Sequence, residues 1–575
     1  MKKIRIPIMI QDPSVAQLPG LKAAEGTDAV REFFLDGPIT ERVAVLDFDP
    51  ETGELGPGAR FNPGKILGRY ENQGGEDLYD LRDDPGTLHT PEFMQVSVFG
   101  TVLRTMDLFK EADTLGRPLT WAFDAPQLLI IPRAGELANA YYQRDSHSLQ
   151  FFFKGGVYTC LSRDIVAHET GHAIVDGIAP DLLDAYTPQS LAIHEAIADL
   201  TAMLLAFSSH SLTHYLLETA KGSITGINPF TTIAEEFGQA GGHAHGLRTL
   251  FNDKALDAEG SEGGVNRTEP HELSEVLSGA LCQVMVKIDD ALRAKLGRGA
   301  KTSSRYRQSW GTALAKSSER FKRMTFRALD YLPPGEISFG DYGRALIAVD
   351  QVAYPGDPKM RQWIRKEFAR RNMVKSEAAL DLDTNIECEQ LAQMDIYALC
   401  TSDWVAYQFA DAHRDLLGIP EQVSFTVAPR LRVLKHYDGD EDGHPTGREC
   451  IFKVSWNAQE DNPSHVRLPG KRQITVGTTL VIHPQKRCVL CRLSNAPPAA
   501  EAHPDRLAEL ERQRVDRDEF LLKLADSGAL RIGSHALAPD GQPFLSGVRA
   551  DVAGDVMRLR GSGNMLHIMR GDDDG

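Results

Sequence analysis

The sequence predicts an α+β fold, with strand-forming segments at both ends and long helices between them. Three observations carry this. Residues 1–85 break into short apolar runs separated by Gly- and Pro-rich turns such as DPETGELGPG. From about 90 to 373 the dominant apolar period is helical, and after 376 strand-like runs return with one charged amphipathic helix among them. The expected organisation is a β-rich N-terminal region at 1–85, a central domain at 86–375 and an α+β C-terminal domain at 376–575. With 575 residues and 42% hydrophobic content, the chain can bury a large core and hold several domains.

Taken in order, REFFLDG (31–37) and ERVAVLDFD (41–49) read as strands. EFMQVSVFGTVLRTMDLFKEA (92–112) has helical spacing, and QLLIIP (127–132), ANAYY (138–142) and SLQFFF (148–153) read as strands after it. Helices then dominate until DPKMRQWIRKEFARRN (357–372). Beyond that point FKVSWNA, RQITVGTTLVI and RCVLCRL alternate as strands do. DRLAELERQRVDRDEFLLKLADSG is a helix stopped by Gly528, and the acidic GDDDG end is expected to be disordered.

The formal net charge of −17 repels phosphates over most of the surface, which argues against nucleic-acid and anionic-membrane partners. The N-terminal apolar run is interrupted by Arg5 and Pro7 and is too short for a signal peptide. No segment offers about 18 uninterrupted apolar residues, so no membrane span is expected and the expected location is the cytoplasm. Seven scattered cysteines fit reduced thiols, and the lone Cys488-x-x-Cys491 lacks the second pair or histidine that a zinc knuckle requires.

The chemistry lies in RDIVAHETGHAIVDGIAPDL (163–182). Ser162 is the expected N-cap, Ile165, Val166, Ile174 and Val175 form an apolar stripe, and Gly177 is the expected stop, so the segment reads as a helix. Residues four apart share a helix face, so His168 and His172 can point at one metal ion. Glu169 then stands beside the ion, where a carboxylate can take a proton from water as general base. An H-E-x-x-H pattern arises by chance in roughly a few per cent of chains this long, so a third donor from another element is needed. The elongated pattern with Gly and His three and six residues on is excluded by Val175 and Ile178. A second helix, capped by Thr187 and opened by Pro188, carries Glu195 and Asp199 on one face. Glu195 would complete a His-His-Glu set and Asp199 would accept the second ring N–H of His168. His194 points elsewhere, as an outer or surface histidine.

With these residues in place, DIVAHETGH and AIHEAIAD resemble the thermolysin family of zinc endopeptidases, with His194 where the family usually has asparagine. The resemblance covers about 90–373. It implies a thermolysin-like zincin core with a β-rich lobe bearing an edge strand, a helical lobe, and the active-site helices between them. It implies one zinc on His168, His172 and Glu195, water activated by Glu169, and Asp199 orienting His168. By the same likeness, Asn139 and Ala140 of ANAYY lie on the edge strand that pairs with an extended peptide substrate. Tyr186 and His271 are the oxyanion donors, although three extra residues precede Tyr186 in its loop, and a helix cap is the competing reading of His271. The family's substrate-binding arginine falls in a shortened segment, where Arg267 is the candidate and Arg248 is read as structural. Asp164 matches one ligand of the family's calcium cluster, but Ala206 replaces an expected glutamate, so calcium is not expected.

The implied activity is hydrolysis of peptide bonds in a protein or peptide substrate, with the flanking regions restricting access or recruiting substrate. A non-catalytic binding platform would be marked by loss of the base, and Glu169 is intact. A zinc aminopeptidase would need an acidic anchor for a free amine, and no G-A-M-E-N-like segment is present.

Overall fold

The computed structural model describes residues 3–30, 34–82, 84–110, 114–233, 248–256, 264–298, 302–383, 386, 388–436, 446–498, 504–532 and 548–561. The acidic end at 571–575 and residues 31–33 lie outside them.

The architecture is mixed α+β. KIRIPIM, rich in isoleucine, forms β1 (Lys3–Met9), which pairs antiparallel with β2 (Ala24–Val30) and parallel with β5 (Gly68–Glu71). β4 (Arg60–Asn62) flanks β5. REFFLDG does not continue as a strand among the described residues: Leu35 makes a single bridge to Ile39, because Gly37, at φ +127°, and Pro38 turn the chain back.

A second sheet has the order β3 (Val43–Val45), β6 (Leu128–Ile131), β8 (Ser148–Phe151), β7 (Ala140–Gln143). The first three strands are parallel, and β7, antiparallel to β8, ends the order and is an edge. Helix α1 (Pro91–Lys110) is buried on almost every side because it lies between β1 and the helix that carries the His-Glu-His group.

That helix is α2 (Arg163–Ile178), followed by the short α3 (Asp181–Asp184) and by α4 (Pro188–Phe207). α4 packs on α2 and on α5 (Pro270–Gly297). By length and composition α4 could cross a membrane, yet 94% of its apolar window is buried in this fold. Ile174, Val175, Ile197 and Leu200 are fully shielded from water, and each such burial is worth about 1.5–3 kcal/mol. The helical layer is completed by α6 (Ser303–Tyr331), α7 (Phe339–Ala353) and α8 (Lys359–Arg370).

The C-terminal region is an eight-stranded sheet. Its path runs β11 (Phe425–Thr426), β13 (Thr446–Asp461), β14 (Lys471–His483), β18 (Val556–Gly561), β17 (Val548–Ala553), β16 (Leu530–Ile532). β12 (Arg430–His436) pairs with β13 and β15 (Cys488–Ser494) with β14. Helix α9 (Pro504–Asp526) precedes β16, and Gly528 follows it at φ +76°. Packing crosses residues 85 and 375: Ile6 and Ile8 share one core with Phe93 and Phe99, and Ile451 and Val481 join the same core from the C-terminal sheet. Reduced thiols throughout were expected, but Cys400 and Cys450 form a disulfide across a separation of 50 residues, a pairing that short-range spacing does not encode.

Candidate metal centre

Helix α2 starts where Ser162 adopts extended backbone geometry, but its hydroxyl does not cap the helix. It donates instead to Asp12 Oδ2 at 2.9 Å and bonds Asp164. The helix runs through Gly177, the expected stop, and is capped by Ala179 before Pro180. Gly177 is needed for close approach, since a Cβ there would lie 1.8 Å from the carbonyl oxygen of Thr120. Gly171 does similar service against α4: a Cβ there would sit 3.1 Å from Ala198 Cα. The close α2–α4 contact brings both histidines to Glu195.

His168 Nε2 and His172 Nε2 lie 3.0 Å apart. Glu195 Oε2 is 3.5 Å from the first and Oε1 is 3.3 Å from the second, with all three side chains at most 3% exposed. Four ligands at zinc distances of about 2.0–2.1 Å have edges of about 3.3 Å in a tetrahedron, so these separations and this N/N/O donor set fit zinc. Glu195 Oε1 is shut from solvent, and its contact with His172 lacks hydrogen-bond geometry, as fits two atoms aimed at a shared ion. Donor atoms of His168, Glu169 and His172 also lie within 4.8 Å of one another. Of the two glutamates, Glu195 has an oxygen within 3.5 Å of each motif Nε2, while Glu169 Oε2 is engaged by the Tyr142 N–H at 3.0 Å.

Supporting contacts fix each group. His168 Nδ1 meets Asp199 Oδ1 at 2.9 Å, and His172 Nδ1 meets His194 Nδ1 at 2.8 Å. His194 is thus buried behind a donor and not on the surface. Arg248, read from the sequence as structural, reaches the centre itself: Nη1 is 3.0 Å from Glu195 Oε2, and Nη2 is 3.3 Å from Asp199 Oδ1. β7 is tied to α2 twice, by the Tyr142 N–H to Glu169 and by the Tyr142 hydroxyl to Asp176 Oδ2 at 2.8 Å. His271 Nε2 stands 3.7 Å from Glu195 Oε1, and its Nδ1 is 2.8 Å from Glu269 Oε1.

Burial opposes charge throughout the centre. It presses the His168 ring towards neutrality, but the bonds to Asp199 and Glu195 outweigh it and raise the ring to about 10. Burial lifts the Glu169 carboxyl to about 8, against the pull of His168. For Glu195 burial also acts upward, yet the charges of His271 and His172 and its close contacts with both motif histidines hold it well below the usual carboxylate range. Burial first, helped by neighbouring cationic groups and opposed by the charge of Glu195, drives His172 and His194 downward, which suits neutral imidazoles.

The structure brings together His168, Glu169, His172, Glu195, Asp199 and His271, with Arg248 and His194 added. Asn139 and Ala140 stand at the start of the edge strand, where Asn139 Oδ1 accepts the Ala140 N–H at 2.8 Å. Tyr186 is not brought into the group. Its ring packs on Phe520, centroids 5.9 Å apart, and beneath Gly561. Tyr186 follows the short α3 at φ +50°, facing the C-terminal sheet. Arg267 likewise points away, pairing with Asp516 of α9 at 3.5 Å. Asp164 is a buried acid in the first turn of α2, its Oδ1 accepting the Ile165 N–H at 3.0 Å.

No protein-family model matches the sequence, and no curated protein does. Among solved structures, the chain is similar to the precursor of protealysin, a metalloproteinase from Serratia proteamaculans, at 14% identity and a TM-score of 0.36. The superposition covers 63% of this chain and 92% of that one, and an overlap so loose assigns no role.

Proposed function

We propose that the chain is a zinc-dependent endopeptidase of thermolysin-like fold. The observation that carries this reading is the buried His168–His172–Glu195 donor set, spaced at 3.0–3.5 Å, with the Glu169 carboxylate beside it.

Zinc held there supplies Lewis acidity, polarising a scissile carbonyl and making water more acidic. The rest falls to side chains and backbone. An extended peptide pairs with the edge strand β7 near Asn139 and Ala140. Glu169, steadied by the Tyr142 N–H, takes a proton from the attacking water and passes it to the leaving amine as the C–N bond breaks. His271, oriented by Glu269, donates to the carbonyl oxygen as it gains charge. The products are a carboxylate and an amine, with one water consumed. The same proposal keeps a cytoplasmic location, and gives residues 1–85 and 376–575 the task of limiting access or recruiting substrate.

The test uses the full chain. Zinc is measured in wild type and His172→Ala, and casein or peptide cleavage in wild type and Glu169→Gln. One equivalent of zinc in wild type, its loss in His172→Ala, and retained zinc without cleavage in Glu169→Gln are expected. Equal zinc in the first pair overturns the metal assignment, and near-wild-type turnover in Glu169→Gln overturns the mechanism.

A further inference from the structure

Helix α9 belongs to the C-terminal region, yet it touches the segments on both sides of the donor set. On one side Phe520, Leu521 and Leu524, each at most 3% exposed, share a small apolar core with Leu183, Tyr186 and Leu191. Tyr186 stacks on Phe520 and stands directly before Thr187 and Pro188, where α4 begins. Leu191 lies one turn before Glu195 on the same side of α4, so this contact bears on the strip of helix that carries the third donor.

On the other side α9 holds the turn that leads to His271. Lys523 Nζ donates to Thr268 Oγ1 at 2.6 Å across a separation of 255 residues, and Asp516 meets Arg267 at 3.5 Å. The turn is closed from within by Asn266, whose Oδ1 accepts the Thr268 N–H at 3.1 Å and the Thr268 hydroxyl at 2.9 Å. Glu269, next in the chain, caps α5 and meets His271 Nδ1. Asp516, Phe520 and Lys523 are spaced by four and then three residues, so one face of α9 spans from the Glu195 helix to the His271 turn. The helix is itself anchored to the central region, where Arg512 donates to the carbonyls of Asn372 and Met373 at 3.1 and 3.2 Å and Gln513 to Glu336 at 2.8 Å.

We propose that α9 braces the metal centre, with Phe520 the positioning residue for Glu195, through Tyr186 and Leu191, and Lys523 the positioning residue for His271, through Thr268. The inference rests on the zinc-peptidase reading and gives the C-terminal region a task within the centre itself. Glu195 and His271 come from separate helices and stand 3.7 Å apart, so their spacing depends on whatever fixes one helix against the other. A displacement of about 1 Å in such a group can cost about 10²-fold in rate, and loss of a group that orients a metal ligand about 10–100-fold in affinity.

Two pairs of variants of the full chain test it. Phe520→Ala is compared with Phe452→Ala, an equally buried phenylalanine in the separate core of the C-terminal sheet, for zinc affinity by chelator competition where both are folded. Phe520→Ala is expected to bind zinc about tenfold more weakly and Phe452→Ala as wild type does. Lys523 is 47% exposed, so Lys523→Met tests the other arm without disturbing the core. It should lower kcat about tenfold with zinc affinity and KM near wild type, and add nothing further in a His271→Ala background, the mark of action through that histidine. Glu519→Gln, which breaks only the 2.9 Å pair between Glu519 and Lys523, should leave turnover unchanged. Equal zinc affinity in Phe520→Ala and wild type, or an equal loss in Phe452→Ala, overturns the brace at Glu195. A Lys523→Met loss that persists in full without His271 overturns it at His271. Wild type that holds no zinc overturns the underlying reading and this inference with it, a result distinct from either of the others.

Discussion

His194 meets His172 nitrogen to nitrogen, their Nδ1 atoms 2.8 Å apart in a buried contact. If His172 Nε2 is to be bare for a metal, its Nδ1 must carry the proton and His194 Nδ1 must accept it. Burial, which drives His194 towards the neutral form, agrees with that direction. His194→Phe is expected to weaken zinc binding by about 10–100-fold, with His194→Asn, whose amide oxygen can accept, recovering most of it. Competition against a chelator of known affinity gives both numbers, and a phenylalanine variant that binds like wild type would leave His194 no orienting role.

Arg248 places a fixed positive charge against both Glu195 and Asp199 in a buried site. Arg248→Ala should destabilise the metal-free protein by about 3–5 kcal/mol, the usual result of leaving a buried charge without its partner. Zinc, by supplying positive charge, should restore part of the loss. Denaturant unfolding with and without zinc measures this; a metal-free variant as stable as wild type would mean that the two acids are neutralised by other means.

How much of this centre could be read in the sequence follows from the range over which each interaction acts. The i, i+4 spacing of His168 and His172 and the capping signals around α2 and α4 are local, and they placed both helices within two residues of their observed ends. Gly177 was misread because its reason is a non-local contact with Thr120. Arg248 lies 53 residues from Glu195 in a segment without a strong period, so nothing local marks it as a partner. Tyr186 was assigned by counting back from Glu195, and a count cannot see the positive φ and the packing on Phe520 that turn its ring towards the C-terminal sheet. β1 and β2 escaped notice because Arg5 and Pro7 interrupt one run and Gly26 the other, although their ladder extends over seven residue pairs.

Asp289 of α5 carries a pH dependence that can be isolated. Burial raises its carboxyl to about 6 despite Arg293 at 2.7 Å. Because the folded value lies above the unfolded one, the folded protein holds a proton that the unfolded chain has released. The resulting stabilisation is fully present below the unfolded value and is lost as pH rises through about 6. Two units correspond to about 3 kcal/mol. The stability difference between wild type and Asp289→Asn should therefore shift by about 2–3 kcal/mol against wild type between acid and neutral pH. Parallel stability curves for the two proteins across that interval would contradict the assignment.

The contacts of His271 separate a catalytic role from a helix cap. The cap of α5 belongs to Glu269, whose Oε2 accepts the Glu272 N–H at 2.6 Å while its Oε1 meets His271 Nδ1. Burial would raise the Glu269 carboxyl, but the bond and charge of His271 outweigh it and hold it below its usual value, so a carboxylate faces Nδ1. With its Nδ1 held by Glu269, the ring presents Nε2 towards the donor set, 3.7 Å from Glu195 Oε1. His271→Ala should leave zinc content and the thermal midpoint close to wild type and lower kcat about 10²-fold, with KM similar because the bond strengthens mainly in the transition state. Glu269→Ala should combine a lower midpoint, from the lost cap at about 1 kcal/mol, with a smaller fall in kcat. Kinetics and melts on both variants divide the two roles. If His271→Ala melted early yet turned over normally per folded molecule, the histidine would be structural and the oxyanion donor would have to be sought elsewhere.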